Sequence, residues 1–111
     1  MEFSENKPIY IQIADDICNR ILSGSMKPGE RVLSVREWSA QIGVNPNTVA
    51  RSYDLLETSG VIRAERGIGF FVSADARERI LESERKTFVE KDLPALKARA
   101  ALLGIDLKTL L

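Results

Sequence analysis

The fold is decided by the stretch IGVNPNTVARSYDLLE, residues 42–57, in which one helix ends and another begins. Gly43 suits the end of the first helix and Asn45 is a good N-cap for the second. Pro46 fits the first helical position, because an N–H group there would have no intrahelical partner. The connection is too short for an antiparallel pair of long helices. Its length is usual for a helix-turn-helix whose axes cross steeply.

Two further helix signals precede this stretch. Isoleucine recurs every four residues along the chain, at Ile9, Ile13, Ile17 and Ile21. This period predicts an amphipathic first helix. Ser34 and Glu37 have the spacing of a capping box, in which a hydroxyl and a carboxylate each bind a free backbone N–H at a helix start. A second helix is therefore predicted from Ser34 to Gly43.

A β-hairpin is predicted after the third helix. Residues 61–64 and 70–72 are β-prone and flank residues 65–69, whose glycines can take the positive φ of a tight turn. Two strands alone are marginally stable, so we expect the hairpin to dock on the helices and to gain a third strand from residues 31–32. The predicted fold class is mainly α with a small β-ribbon. It is a winged helix-turn-helix followed by a short C-terminal tail of two helices.

The tail, residues 73–111, is strongly charged in its first part and carries few apolar positions there. We expect Leu93-Pro94 to interrupt it, with one helix on each side, and residues 105–111 to add a turn or two. Segments shorter than about 40 residues rarely fold alone, so the tail should need a partner. That partner is either a second copy of the chain or the tail's own winged domain.

Composition argues against several classes of chemistry. The 111 residues include no His and one Cys, so zinc sites, imidazole catalysis and disulfides lose support, and we expect no enzyme activity and no cofactor. No window approaches the roughly 20 apolar residues of a membrane helix, and no signal peptide is visible. We therefore expect a cytoplasmic protein without a membrane partner. The 16 basic and 16 acidic residues cancel, so net charge does not identify a partner.

The order of these signals over residues 8–72 resembles the DNA-binding domain of GntR-family bacterial transcription regulators. The matching pieces are PIYIQI (8–13), KPGER (27–31), IGV (42–44), NPNTV (45–49) and GIGFFV (67–72). The NPNTV form and the short tail resemble the YtrA-like subgroup in particular. Leu33 and Trp38 depart from the family pattern, which usually has Pro and Leu there. Neither residue is at a readout position.

The start of the third helix has side chains suited to reading DNA. If the apolar stripe faces inward, Asn47 and Arg51 lie on the opposite face one turn apart, with Thr48 beside Arg51. In the major groove Asn can pair with adenine, Arg with guanine, and the Thr methyl can contact thymine. The alternative is a solvated face on which Asn45 acts only as a cap. A helix-turn-helix followed by a wing favours DNA readout, with Asn45 included in the site.

The resemblance implies further DNA contacts outside this helix. Arg36 would contact the DNA backbone or a base, and the ribbon tip would approach the minor groove. The tip residues are Arg66, Gly67, Ile68 and Gly69. Ser34 would cap its helix first and bind phosphate as a second role. Arg31 and Arg63 are weaker candidates for phosphate contacts.

The predicted function is a sequence-specific, dimeric regulator of transcription, a repressor, that binds double-stranded DNA. Residues 1–72 would form the winged helix-turn-helix DNA-binding domain and residues 73–111 the helical dimerisation tail. A homodimer would hold two recognition helices about 34 Å apart on a pseudo-palindromic operator. The alternative is a winged-helix protein-interaction module without sequence-specific readout. A small-molecule effector stays unidentified, because no convergent polar cluster marks a site.

Overall fold

A computed structural model describes residues 1–111 and contains six α-helices, a two-stranded sheet and a π-helical segment. In chain order these are α1 (Ile9–Ser23), α2 (Val35–Ile42), α3 (Pro46–Thr58), β1 (Ile62–Glu65), β2 (Gly69–Val72), α4 (Ala76–Thr87), the π segment (Phe88–Asp92), α5 (Leu93–Leu102) and α6 (Leu107–Leu110). The predicted order of three helices, a ribbon and a helical tail is confirmed. The chain packs as two units, Met1–Ile80 and Leu81–Leu111.

The helix-turn-helix begins and ends at the residues that the capping signals predict. Ser34 Oγ accepts a hydrogen bond from Glu37 N–H at 3.1 Å, and the Glu37 carboxylate accepts one from Ser34 N–H at 3.1 Å. Gly43 ends α2 with φ of 68°, a left-handed conformation that residues with a Cβ rarely adopt. The side chain of Asn45 caps α3, and Pro46 takes its first position.

The core of the first unit lies where α1, α3 and the ribbon meet. Its buried apolar side chains are Ile13, Ala14, Ile17, Ile21, Val32, Trp38, Val49, Tyr53, Leu56, Val61, Ile62, Val72, Ala76 and Ile80. Ala76 and Ile80 follow β2, so packing joins residues 73–80 to this unit, beyond the boundary predicted at residue 72. The dimerisation role of residues 73–111 stays a prediction.

The ribbon is an antiparallel pair whose register places Ile62 opposite Val72. The predicted third strand is present as a single bridge, between Arg31 and Phe71. Val72 N–H also donates to Glu30 O at 2.9 Å. The segment before α2 is therefore hydrogen-bonded to the wing, which stabilises a hairpin that would be marginal alone.

Two α-helices, α4 and α5, are present in the tail as predicted, but the expected break of the backbone helix at Leu93-Pro94 is not. The backbone stays helical from α4 through the π segment into α5. In a regular α-helix the ring of Pro94 would clash with the carbonyl of Glu90, four residues earlier. Leu93 N–H instead donates to Phe88 O, five residues back, and this wider turn gives the ring room. The extra turn expected near the end is present as α6. None of the helices has the length and apolarity needed to cross a bilayer.

Candidate nucleic-acid interface

The first half of α3 buries one face and exposes the other. Val49 and Tyr53 are buried in the core. On the opposite side Asn47 and Arg51 are exposed and Thr48 is half-buried, as the apolar spacing predicts. The side chains of Asn47 and Thr48 make no hydrogen bond within the chain, so their donors and acceptors are open to a ligand.

Asn45 and Ser34, both candidate contacts, act as helix caps. Asn45 Oδ1 accepts from Asn47 N–H at 2.8 Å, which leaves the amide N–H groups of Asn45 for another partner. Ser34 Oγ is held in the capping box with Glu37. Hydrogen bonds from the Ser34 backbone and side chain, followed by the charge of Arg31, hold the pKa of Glu37 below its ordinary value of 4.5. Both caps fix the helix starts at which the candidate residues lie.

Arg51 stacks on an aromatic ring of α1, a contact that sequence reasoning missed. Its guanidinium carbon lies 4.0 Å from the ring centroid of Tyr10. Ser52, the next residue of α3, is fully buried and donates from Oγ to Tyr10 O at 2.7 Å. A shallow concavity of about 430 Å3 separates the two helix starts and is lined by Pro8, Ile9, Tyr10, Asn47, Thr48 and Arg51. No sequence pattern links Tyr10 to Arg51, because the two residues meet only in the folded chain.

Tyr53 fixes α3 against both the segment before α2 and the wing. Its hydroxyl donates to Leu33 O. Its ring meets that of Phe70 on β2 edge to face, with centroids 5.1 Å apart and planes at 87°. Burial, with a smaller contribution from the charge of Glu37, raises the pKa of Tyr53 above its ordinary value, so the hydroxyl stays a neutral donor. The exposed edge of α3 is therefore carried on a rigid base.

The wing tip is a tight turn, as predicted. Ile68 N–H donates to Glu65 O at 3.0 Å, and Gly67 has φ of 78°, which a residue with a Cβ would adopt at a cost. Arg66 is exposed and Ile68 is 60% exposed. Gly69 lies against a side chain from the neighbouring segment: a Cβ there would be 3.3 Å from Nε of Arg31. The tip therefore presents a cation, an apolar side chain and bare backbone to solvent.

Ion pairing separates the arginines of this region into two groups. Arg31 pairs with Glu37 at 3.6 Å, and Arg63 pairs with Glu65. The second group consists of Arg36, Arg51 and Arg66, which form no ion pair with a carboxylate of the chain. These three lie on α2, on α3 and at the wing tip. The unpaired cations therefore coincide with the predicted DNA-facing elements, whereas the two weaker candidates are neutralised by neighbours.

Sequence comparisons connect the chain with known regulators. The family model for bacterial regulatory proteins of the gntR family matches residues 9–72. The HTH-type transcriptional repressor YtrA of Bacillus subtilis (strain 168) is 38% identical over 103 residues, which cover 93% of this chain and 78% of YtrA. The uncharacterized HTH-type transcriptional regulator YhcF of the same organism is 43% identical over 75 residues. Those residues cover 68% of this chain and 62% of YhcF, less than two thirds of that relative.

Solved structures extend the likeness to the tail and to a DNA complex. A GntR family transcriptional regulator from Listeria monocytogenes superposes with a TM-score of 0.80 at 32% identity, over 97% of this chain and 93% of that chain. The DNA-binding domain of AraR, solved in complex with operator ORX1, gives a TM-score of 0.59 at 27% identity, over 66% of this chain and 89% of that chain.

These comparisons agree with the geometry of the first unit. The relatives and the matched family are transcription regulators rather than enzymes. The match spans α1 to β2, which includes the helix-turn-helix and the wing. This chain belongs to the GntR family of bacterial regulatory proteins and is a DNA-binding transcription regulator.

Proposed function

We propose that this chain is a homodimeric, sequence-specific repressor that binds a pseudo-palindromic operator. The observation that carries the proposal is the exposed edge of α3, where Arg51 has no carboxylate partner and the side chains of Asn47 and Thr48 are unbonded. An arginine that is already paired must give up its partner to bind DNA, whereas Arg51 has no such cost. The repressor name of YtrA and the operator complex of AraR support the same function.

In this proposal the edge of α3 enters the major groove. Arg51 donates to O6 and N7 of a guanine, Asn47 pairs with an adenine, and the methyl group of Thr48 meets a thymine. Asn45 lies at the helix start, where its amide N–H groups can donate to a phosphate or a base edge. Each good bidentate contact contributes about 1–3 kcal/mol of discrimination against a wrong base.

Contacts outside α3 fix the protein's position on the duplex. Arg36 on α2 neutralises a phosphate or reaches a base. Ser34, near it, contacts a phosphate as a second role, for which its hydroxyl hydrogen turns from Glu37 to the phosphate while Oγ still accepts from Glu37 N–H. The wing tip approaches the minor groove, with Arg66 supplying charge and Gly67 to Gly69 allowing close approach of the backbone. Arg31 and Arg63 have smaller roles, because Glu37 and Glu65 already neutralise them.

The tail supplies the dimer contact. In the second unit, Leu81–Leu111, Ala100 is the one buried apolar residue, so this unit cannot form a core of its own. The large apolar side chains that it exposes are Phe88, Val89, Leu96, Leu102, Leu103, Ile105, Leu110 and Leu111. A two-fold interface can bury the same apolar patch on both copies. Two copies then present their α3 helices about 34 Å apart, which is the length of one turn of DNA.

Substitutions on α3 test the readout. We expect Arg51→Ala and Asn47→Ala each to lose about 1–3 kcal/mol of discrimination per half-site between a duplex selected from a random pool and an unrelated duplex. Arg63→Ala, which removes the same charge from an ion-paired position, is the matched control and should change discrimination little. Circular dichroism checks that each variant is folded. If Arg51→Ala and Asn47→Ala discriminate as well as the parent, readout by α3 is wrong and the interaction-module alternative gains support.

The salt dependence of the DNA affinity tests whether two protomers contact the duplex. If each protomer neutralises about four phosphates, the logarithm of the affinity should fall with the logarithm of salt concentration at a slope near −7, about −0.9 per phosphate. Fluorescence anisotropy over a salt series gives the slope. A slope smaller than about 2 in magnitude would contradict a complex with two half-sites.

A further inference from the structure

Tyr10 lies where α1 begins, beside the edge of α3 that faces outward. Its ring is half-buried and lies under the Arg51 guanidinium, with the guanidinium carbon 4.0 Å from the ring centroid. Its backbone carbonyl accepts from Ser52 Oγ at 2.7 Å, and Ser52 is fully buried. The backbone of Tyr10 is therefore anchored to a buried residue of α3. Its ring lies next to Arg51, the residue that precedes Ser52.

We propose that Tyr10 is a positioning residue for Arg51, whose ring aims the guanidinium edge at a base. The inference rests on the proposed readout of DNA by α3. The guanidinium carbon lies over the ring, and a guanidinium that lies flat on a ring keeps its five N–H donors pointing outward in its own plane. The ring and a guanine can therefore bind Arg51 at the same time, one through the face and the other through the edge.

The stack lowers the cost of ordering Arg51 on DNA. An arginine side chain has several rotatable bonds, and fixing them at a base costs conformational entropy. A stack that already exists in the free protein reduces this cost, and Arg51 has no ion pair that would hold it in another direction. The concavity beside the stack is also lined by Asn47 and Thr48, so the aligned edge lies among the other readout side chains.

The ring, rather than the hydroxyl, carries this role. The Tyr10 hydroxyl makes no hydrogen bond within the chain. We therefore expect Tyr10→Phe to behave like the parent. Tyr10→Leu keeps an apolar side chain on α1 and removes the ring, so it should lose the alignment with little change in the fold.

The test measures how well each variant distinguishes guanine from adenine at the base pair that Arg51 reads. That pair is identified first as the one whose discrimination is lost in Arg51→Ala. We expect Tyr10→Leu to lower this discrimination about two- to fivefold per half-site, the range of an exposed cation–π contact, and Tyr10→Phe to retain it. Phe71→Leu is the matched control, because it removes the ring that lies 5.3 Å from the guanidinium carbon of ion-paired Arg63. It should leave this discrimination unchanged.

Two further comparisons separate the possible failures. In the Arg51→Ala background, Tyr10→Leu should have no additional effect on discrimination, because the side chain that it aligns is absent. If Arg51→Ala itself has no effect, the proposed readout fails. If Arg51→Ala loses discrimination but Tyr10→Leu keeps it, the readout stands and the positioning role of Tyr10 is overturned. A loss in Tyr10→Leu that Tyr10→Phe shares, or that persists without Arg51, also overturns it.

Discussion

The two units of the chain differ in how far they bury their apolar side chains. In Met1–Ile80, residues such as Ile17 and Val49 are 0% exposed. In Leu81–Leu111, Leu102 is 80% exposed and Phe88 is 55% exposed. The first unit therefore has a core that can hold its polar surface in place without help. The second unit presents its apolar surface to solvent and should gain stability only from a partner.

This difference matches the two roles in the proposed function, which are base readout by the first unit and dimerisation by the second. Side chains that read bases must be held within a fraction of an ångström, and the closed core beneath α3 supplies that rigidity. A surface that joins two copies is instead left open in the single chain and is completed by association. Substitutions in the first unit should thus change folding independently of protein concentration, and substitutions in the second should change association.

The largest effect is expected in the closed core. Ile17→Ala removes buried methyl and methylene groups from α1 at a site that is 0% exposed. We expect it to lower the free energy of unfolding by about 2–5 kcal/mol, because it loses burial and leaves a cavity. Chemical denaturation monitored by circular dichroism measures the change.

The comparison variant for this prediction is Leu102→Ala in the tail. At low protein concentration, where association is weak, it should change the free energy of unfolding far less than Ile17→Ala, because Leu102 is 80% exposed. Equal losses in the two variants under these conditions would contradict the distinction between a closed and an open unit.

A smaller effect is expected on association. Leu102→Glu places a charge in the proposed interface and should raise the dimer dissociation constant about 10- to 100-fold for each copy that carries it, equivalent to losing one buried leucine per copy. Sedimentation equilibrium measures it. Lys97→Ala changes the net charge of α5 by the same amount at an exposed polar position and serves as the control. A chain that is monomeric before any substitution, or a dimer that Leu102→Glu leaves intact, would remove the tail from this role.

The smallest effect concerns the cap of α2. Because the pKa of Glu37 is lower in the folded chain than its ordinary value of 4.5, its carboxylate stabilises the fold above that pH. This contribution should disappear as the pH falls from 4.5 through the lower pKa of the folded state. We expect Glu37→Gln to lose stability less steeply over this window than the parent. Thermal melts at a series of pH values test this, and identical slopes for the two proteins would show that the capping box adds no pH dependence.

Local signals in the sequence predicted most of the first unit. Helix starts and stops depend on neighbouring residues, so the capping box at Ser34 and the cap at Asn45 could be found without tertiary information. The same holds for the turn at Gly67, which needs a positive φ. Spacing also predicted which edge of α3 faces outward, because the buried stripe repeats with the helical period.

Contacts between distant segments could not be predicted in this way. The stack of Arg51 on Tyr10 and the pairing of Arg31 with Glu37 depend on how helices and ribbon pack together. The passage of the helix past Pro94 was missed for another reason. A proline normally predicts a break, and no local sequence signal marks the π turn that accommodates the ring instead.

The most direct test of the account is selection of bound duplexes from a random DNA pool by the full chain. A homodimer that reads DNA with two α3 edges should enrich a two-fold symmetric consensus, with half-site centres about 10 base pairs apart or a multiple of that spacing. Enrichment of a single unpaired half-site would contradict the homodimer on a pseudo-palindromic operator. Absence of any enriched sequence would contradict base readout by α3 altogether.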